Sequence, residues 1–463
     1  MSSDATALEI RDAVSSGAVT ATEVTEASLD RIKRSQGQLN AFTTITHDRA
    51  VAVAAAIDDQ IRNGEPVGPL AGVPFAAKDL FDLEGITTRA GSDVLTDQKA
   101  ATEDAAAVAA LIEAGGIPVG ALTMDEFAFG FTTENTHVGP AHNPHDLTRT
   151  PGGSSGGSGA AVAGGLVPIA LGTDTNGSVR VPASLCGLFA IKPTYGRISR
   201  AGVQLFSDSL DHVGLFARSA DDLRGGFEAL ERAGPDGDPI LQPSHPEPGQ
   251  LRVGCLGGWF ADNAGPEARE AVDLVAEHLG VTAPPAQLER AGAAHAAASV
   301  ITYAEAGELH LDRIRHHRHR FDPVVRHRLV AAALLPADWY VRAQRVRGVW
   351  ASEVGALFDR FDVLLAPATP FVAPAIGTET VVIAGEELPA RPALGWLTQP
   401  LTPTGLPIGV APTWPGDGRL PLGVQIIAPA GHEERILNLL AELEAAGVTR
   451  SPVAPPDSLR RHP

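Results

Sequence analysis

Through the first sixty residues, apolar side chains recur at helical spacing. ALEIRDAV, ATEVTEASLDRIKR and DRAVAVAAAIDDQIRNG each carry an apolar stripe and each begins beside a capping residue, so three helices are predicted there. From Pro69 the period changes. Short apolar runs bounded by glycine and proline (GVPFAA, IPVGAL, VPIALG, LFAIKP) alternate with helical stretches such as EDAAAVAALIEAG. LRVGCLG, FDVLLAPAT and LPLGVQIIA repeat the strand texture later, and EERILNLLAELEAAG reads as a closing helix. Strands alternating with helices predict an α/β protein built on a sheet, not a helical bundle or an all-β barrel. Residues 234–250, rich in proline, glycine and acid, read as a linker, and the chain carries no internal repeat.

Composition narrows the function classes. The 463 residues are 44% hydrophobic, enough for a large core, and the length admits either about three domains or one large α/β domain. A net charge of −19 excludes gripping a nucleic-acid backbone through a broad basic surface. Cys186 and Cys255 are the only cysteines, and their spacing fits neither a disulfide framework nor a structural zinc site, so a reducing cytoplasmic setting is expected. The N-terminal residues lack the basic-then-apolar pattern of a secretory signal, and no apolar run approaches the roughly 18 residues of a membrane span. Lysine is scarce: Lys33, Lys78, Lys99 and Lys192 stand against 32 arginines. Arginine replaces lysine readily on a solvated surface, so each surviving lysine is a candidate for chemistry that arginine cannot supply.

The most informative stretch runs from Thr150 to Arg197. Its glycines at 152, 153, 156, 157 and 159 free the backbone to approach a ligand closely. A flexible linker is disfavoured by the strand-like and helix-like segments on either side. A phosphate loop needs a lysine directly after its glycines, which the run at 152–159 lacks. Ser158 and Ser178 do not fit the GxSxG elbow of a Ser-His-Asp hydrolase. What remains is a glycine-rich turn presenting serine hydroxyls, and a serine nucleophile needs a base.

Four separated blocks, AGVPFAAKDLF (Ala71 to Phe81), GGSSGGS (Gly152 to Ser158), GTDTNGSVRVPASLCG (Gly172 to Gly187) and IKPTYGR (Ile191 to Arg197), resemble the amidase signature family in content and order. Family-like texture continues through SLDHVGLFARS and TQPLTPTGLPIGVAP. The resemblance implies one amidase domain over residues 1–463, with a mixed, twisted central sheet covered by helices on both faces. Within it, residues 1–60 would be N-terminal helices, 65–216 the signature core and 217–450 the half that shapes the substrate pocket. It implies Ser178 as the acylating nucleophile, Ser154, behind a cis peptide bond, as the bridging serine, and Lys78 as the base. The backbone amides of Thr175, Asn176, Gly177 and Ser178 would form the oxyanion hole, and neither metal nor cofactor is implied. Burial of Lys78 in its apolar segment would favour the neutral amine that a base requires. One departure stands out: Asn176 occupies a position where the family commonly has a second glycine, which places a side chain near the acyl group and points to a small substrate.

DTNGSVRVPASLCG, MDEFAFGFTTENTHVGPAHNPHDL and ALLPADWYVRAQRVR resemble the carboxybiuret hydrolase branch of the family. That implies release of ammonia from a small carboxylated amide or urea-like compound, a small helical partner subunit, and assembly as a homo-oligomer or a heterotetramer. The alternatives are a glutaminase subunit of a tRNA-dependent amidotransferase and a non-catalytic scaffold, the latter disfavoured by the presence of Lys78, Ser154 and Ser178 together. Arg328 is the candidate for the substrate carboxylate, and Asn176 a second candidate contact. Arg180 reads as holding the loop by ion pairing and Asp174 as a buried carboxylate accepting backbone amides. His310, His316, His317 and His319 match no standard ligand spacing and read as a solvated helix.

Overall fold

The computed structural model describes residues 2–232 and 251–454, so the 234–250 linker lies outside the described residues. Ten strands between Phe42 and Ile427 join one mixed sheet. They are β1 (Phe42–Ile45), β2 (Pro74–Lys78), β3 (Ile117–Leu122), β4 (Ile169–Asp174), β5 (Phe189–Lys192), β6 (His212–Ala217), β7 (Val253–Cys255), β8 (Val363–Pro367), β9 (Ile408–Thr413) and β10 (Leu422–Ile427). Their spatial order is β1-β3-β2-β4-β6-β5-β9-β10-β8-β7. The trio β3, β2 and β4 runs parallel, as do β8 and β7, while the remaining neighbours are antiparallel. One sheet therefore unites the early and late halves of the sequence in a single α/β domain.

Strands β2 to β6 are buried along their whole length, which explains why they read as continuous apolar runs instead of alternating ones. The N-terminal helices form at Ala7–Ser15, Ala21–Leu39 and His47–Arg62. The first two open with reciprocal capping boxes, Thr6 with Glu9 and Thr20 with Glu23. The helical reading of this region missed β1. Its residues, FTTI, are aromatic or β-branched, and they pair with β3 at the sheet edge, where tertiary pairing overrides local helical periodicity. Strand β6 forms within SLDHVGLFARS, and β9 begins within TQPLTPTGLPIGVAP and ends one residue beyond it.

Two backbone features bring polar side chains together. β2 ends at Lys78 and its parallel neighbour β4 ends at Asp174, so both deliver polar side chains at the same carboxyl edge of the sheet. Ligands of open α/β sheets characteristically bind at that edge. Between these strands in sequence, the glycine-serine run crosses and enters the helix Gly156–Ala163, all of it buried. No helix among the described residues is long and apolar enough to cross a membrane.

Candidate active site

Lys78 is fully buried at the end of β2. Its Nζ donates to Ser154 Oγ at 2.7 Å and to Thr173 Oγ1, on β4, at 3.0 Å. Burial pulls its pKa from 10.5 down to about 7, against the opposing attraction of Asp125, Asp211 and Asp174. A large fraction of neutral amine is therefore present near neutral pH. The Gly153–Ser154 peptide bond is cis. A Cβ at Gly153 would collide with the Asp125 carboxylate and the Thr132 amide, which explains the glycine at this position. Asp125 itself accepts the Thr133 amide at 2.9 Å, and burial pushes its pKa up to about 6.

Ser178 sits in the loop after β4, and the Ser155 amide donates to its carbonyl at 3.3 Å, joining the two serine-bearing loops. Asp174 holds that loop. Its carboxylate accepts the amides of Gly177 at 2.8 Å, Val179 at 3.2 Å and Arg180 at 3.4 Å, and two guanidinium N–H groups of Arg180 at 2.9 Å each. Both side chains are fully buried. The rest of the Arg180 fork is occupied by Thr398 O, Gln425 Oε1 and Thr402 Oγ1. Burial would raise the Asp174 pKa, but the Arg180 guanidinium outweighs it and holds the carboxyl well below its usual range. The loop-holding role expected of Arg180 and the amide-accepting role expected of Asp174 are both present, and the structure shows that each is the other's ion-pair partner.

One expectation changes. The Gly177 amide is committed to Asp174, so it cannot also face a substrate oxygen. Among the described residues no hydrogen bond takes the amides of Thr175, Asn176 or Ser178, and these three residues line a cavity of about 140 Å³ that Gly177 does not. Gly177 instead adopts φ 132°, and a Cβ there would strike Thr398 Oγ1. Its role is geometric: it lets the loop turn beneath Thr398, which in turn donates to the Asn176 carbonyl at 2.7 Å.

Phe129, Phe131 and Phe206 supply apolar wall to the cavity. Arg328 lines it too, with its guanidinium 5.4 Å from the Phe129 ring centroid and Nη1 donating to Phe129 O at 3.3 Å. Tyr303 packs T-shaped on the same ring, centroids 4.9 Å apart, and reaches the same cavity. Asn176 lines it as well, its Nδ2 donating to Thr302 Oγ1 at 2.8 Å.

Sequence reasoning missed Thr173, the second partner of Lys78, although it lies within the block GTDTNGSVRVPASLCG. It also missed Gln399, although that residue lies in TQPLTPTGLPIGVAP, and His295 and Tyr303, which arrive from a helix without a recognisable motif. The histidine tract needs one correction. His316, His317 and His319 are exposed, but His310 is buried, with its ring centroid 4.2 Å from that of Phe127 and Arg313 beside Nδ1. It is the C-terminal flank of the long helix Ala291–Leu309, so it belongs to a packed junction instead of the solvated face. No group of three or more metal-ligating side chains occurs among the described residues.

The profile of the Amidase family matches residues 23–437. The chain is 49% identical over 458 residues to AtzE, the 1-carboxybiuret hydrolase subunit of Pseudomonas sp. (strain ADP), covering 96% of this chain and 99% of that one. It is 36% identical over 484 residues to the A-type subunit of the glutamyl-tRNA(Gln) amidotransferase of Aromatoleum aromaticum, covering 96% and 97%. Among solved structures it superimposes with a TM-score of 0.92, at 48% identity and over 96% and 99% of the two chains, on one described as a vestigial protein complex bearing on the origins of an s-triazine catabolic enzyme. A 6-aminohexanoate cyclic dimer hydrolase complexed with substrate gives a TM-score of 0.85 at 27% identity, over 100% and 99%.

Proposed function

Because this chain belongs to the amidase family, we propose that it hydrolyses the C–N bond of a small carboxylated amide or urea-like substrate of carboxybiuret type, releasing ammonia. The observation that carries the reading is a buried lysine, neutral in large part near pH 7, bonded to Ser154, whose loop the Ser155 amide ties to Ser178 at the wall of a small cavity. In this reading Lys78 takes the Ser154 proton as Ser154 takes that of Ser178, and Ser178 Oγ attacks the carbonyl carbon. A hydroxyl both donates and accepts, so Ser154 can pass a proton in either direction. A base with a pKa near the working pH best combines correct protonation with driving force.

The oxyanion then accepts from the amides of Thr175, Asn176 and Ser178, interactions of the kind typically worth about 3 kcal/mol each in the transition state. Collapse of the tetrahedral adduct breaks the C–N bond, and the proton held by Lys78 returns through Ser154 to the leaving nitrogen, which departs as ammonia. Water attacks the Ser178 ester along the same relay and frees the acid. Arg328 and Tyr303, both packed against Phe129, are the groups suited to a substrate carboxylate. The volume of about 140 Å³ suits a compact molecule. The family resemblance adds assembly to the proposal, as a heterotetramer with a small helical partner subunit or as a homo-oligomer.

The test is ammonia release from biuret, carboxybiuret, oxamate, malonamate, allophanate and glutamine. Turnover of the small carboxylated compounds with little glutaminase activity is expected. Activity on glutamine alone would replace this reading with an amidotransferase role.

A further inference from the structure

The long helix Ala291–Leu309 turns one polar face toward the cavity. His295, Ser299, Thr302 and Tyr303 share that face because their spacing matches successive helical turns. Two of these side chains are engaged: Ser299 Oγ accepts from Gln399 Nε2 at 2.7 Å, and Thr302 Oγ1 accepts from Asn176 Nδ2 at 2.8 Å. Two of the residues lining this cavity each carry a buried polar atom with no partner among the described residues, namely His295 Nε2 and Asn176 Oδ1. Buried polar atoms are normally paired, and an orphan lining a cavity points to a group that the bound ligand supplies. The His295 ring is held in place by aromatic neighbours, with centroids 4.5 Å from Trp396 and 5.6 Å from Trp259. Trp259 is in turn pinned by its indole N–H, which donates to Trp396 O at 3.1 Å.

The chemistry of the two atoms restricts the ligand. Asn176 Oδ1 can only accept while Nδ2 is given to Thr302, so it calls for an N–H and repels a carboxylate. Burial lowers the His295 pKa to about 4, leaving an uncharged ring that offers one hydrogen or one lone pair. An uncharged amide or ureido group carries both N–H donors and a carbonyl acceptor, and so satisfies the pair. A second anion would not.

We propose that His295 and the Asn176 carboxamide form a subsite for a second, uncharged amide or ureido group of the substrate, beyond the bond that Ser178 attacks. This rests on the hydrolase reading above, whose carboxybiuret-type substrate carries two carbonyl-nitrogen units and one carboxylate, and deepens it by assigning the residues that hold the second unit. The subsite discriminates malonamate, which has one such unit, from N-carbamoylmalonamate, which has two.

Two measurements test it. In steady state, His295→Phe lowers the kcat/KM ratio of N-carbamoylmalonamate over malonamate about tenfold, the scale of one lost neutral hydrogen bond, and His295→Gln recovers part of that ratio. Equal losses on both compounds, or none, would overturn the subsite. Calorimetric binding to the Ser178→Ala protein separates this claim from the hydrolase reading, because it needs no turnover. Tighter binding of the N-carbamoyl compound, abolished by adding His295→Phe, supports the subsite even where neither compound is hydrolysed. Equal affinity for the two compounds overturns it even where both are.

Discussion

Asp174→Asn is the substitution that most sharply separates loop architecture from chemistry. The change keeps the size of the side chain but removes its charge and turns one acceptor into a donor. That donor would face the amides and guanidinium N–H groups now gathered on the carboxylate, at 2.8 to 3.4 Å. Arg180 would be left buried and without its counter-charge, since its remaining partners, Thr398 O, Gln425 Oε1 and Thr402 Oγ1, are all neutral. Breaking a buried pair from one side costs about 3–5 kcal/mol. With an unfolding entropy of about 2.1 cal/mol/K per residue, a chain of 463 residues has roughly 1 kcal/mol/K, so the midpoint falls by about 4 °C. Differential scanning calorimetry reads this directly.

The same pair sets an acid limit. The folded pKa of Asp174 lies below its ordinary value of 3.8, so its contribution to stability is complete above that value and is lost as pH falls toward the folded one. The wild-type melting temperature should therefore drop on acidification below about pH 4 more steeply than that of Asp174→Asn. An Asn variant that melts with the wild type at pH 7 would refute the claim that this ion pair holds the nucleophile loop.

Three further outcomes are expected of the site. Because Lys78 must be neutral to accept a proton, kcat/KM should rise with pH through a midpoint near 7, and Lys78→Arg should be inactive at every pH since arginine stays protonated; a flat profile, or an active arginine variant, contradicts a lysine base. Arg328→Ala should raise KM for carboxylated substrates at least tenfold while changing turnover of uncharged biuret far less, measured by ammonia release; parallel changes on both would remove Arg328 from carboxylate recognition. Gly177→Ala should destabilise the fold and cut activity, because φ 132° and the Thr398 hydroxyl both oppose a Cβ, whereas a melting curve matching wild type would show that the loop has slack.

How much of this could be read from the residues depends on distance along the chain. IPVGAL and LPLGVQIIA announced β3 and β10 because a buried strand is a short apolar run between turn residues. FTTI did not announce β1, since four residues between two long helices carry little pattern and acquire their state from pairing with β3. Lys78, Ser154 and Ser178 stood out as candidates because their blocks are compact and specific and lysine is scarce, and the structure brings Lys78 and Ser154 to 2.7 Å. The second buried lysine, Lys192, stood out equally, yet its Nζ is spent on the carbonyls of Pro193 and Leu406. Composition alone did not separate a candidate base from a side chain that ties loops together. The commitment of the Gly177 amide to Asp174 was invisible in sequence because it depends on which way one N–H points. His295 and Tyr303 were invisible for another reason: they reach the cavity more than a hundred residues after Ser178, through packing of a helix with no motif.

The central claim is that Ser178 becomes transiently acylated through a relay ending at Lys78. Intact-protein mass spectrometry on acid-quenched turnover mixtures, followed by peptide mapping, tests it most directly. The account predicts an acyl adduct on the peptide bearing Ser178, accumulating when hydrolysis of the ester is slower than its formation, and no adduct or ammonia release from a folded Ser178→Ala protein. An adduct on another residue, or ammonia release at wild-type rates from Ser178→Ala, would contradict it.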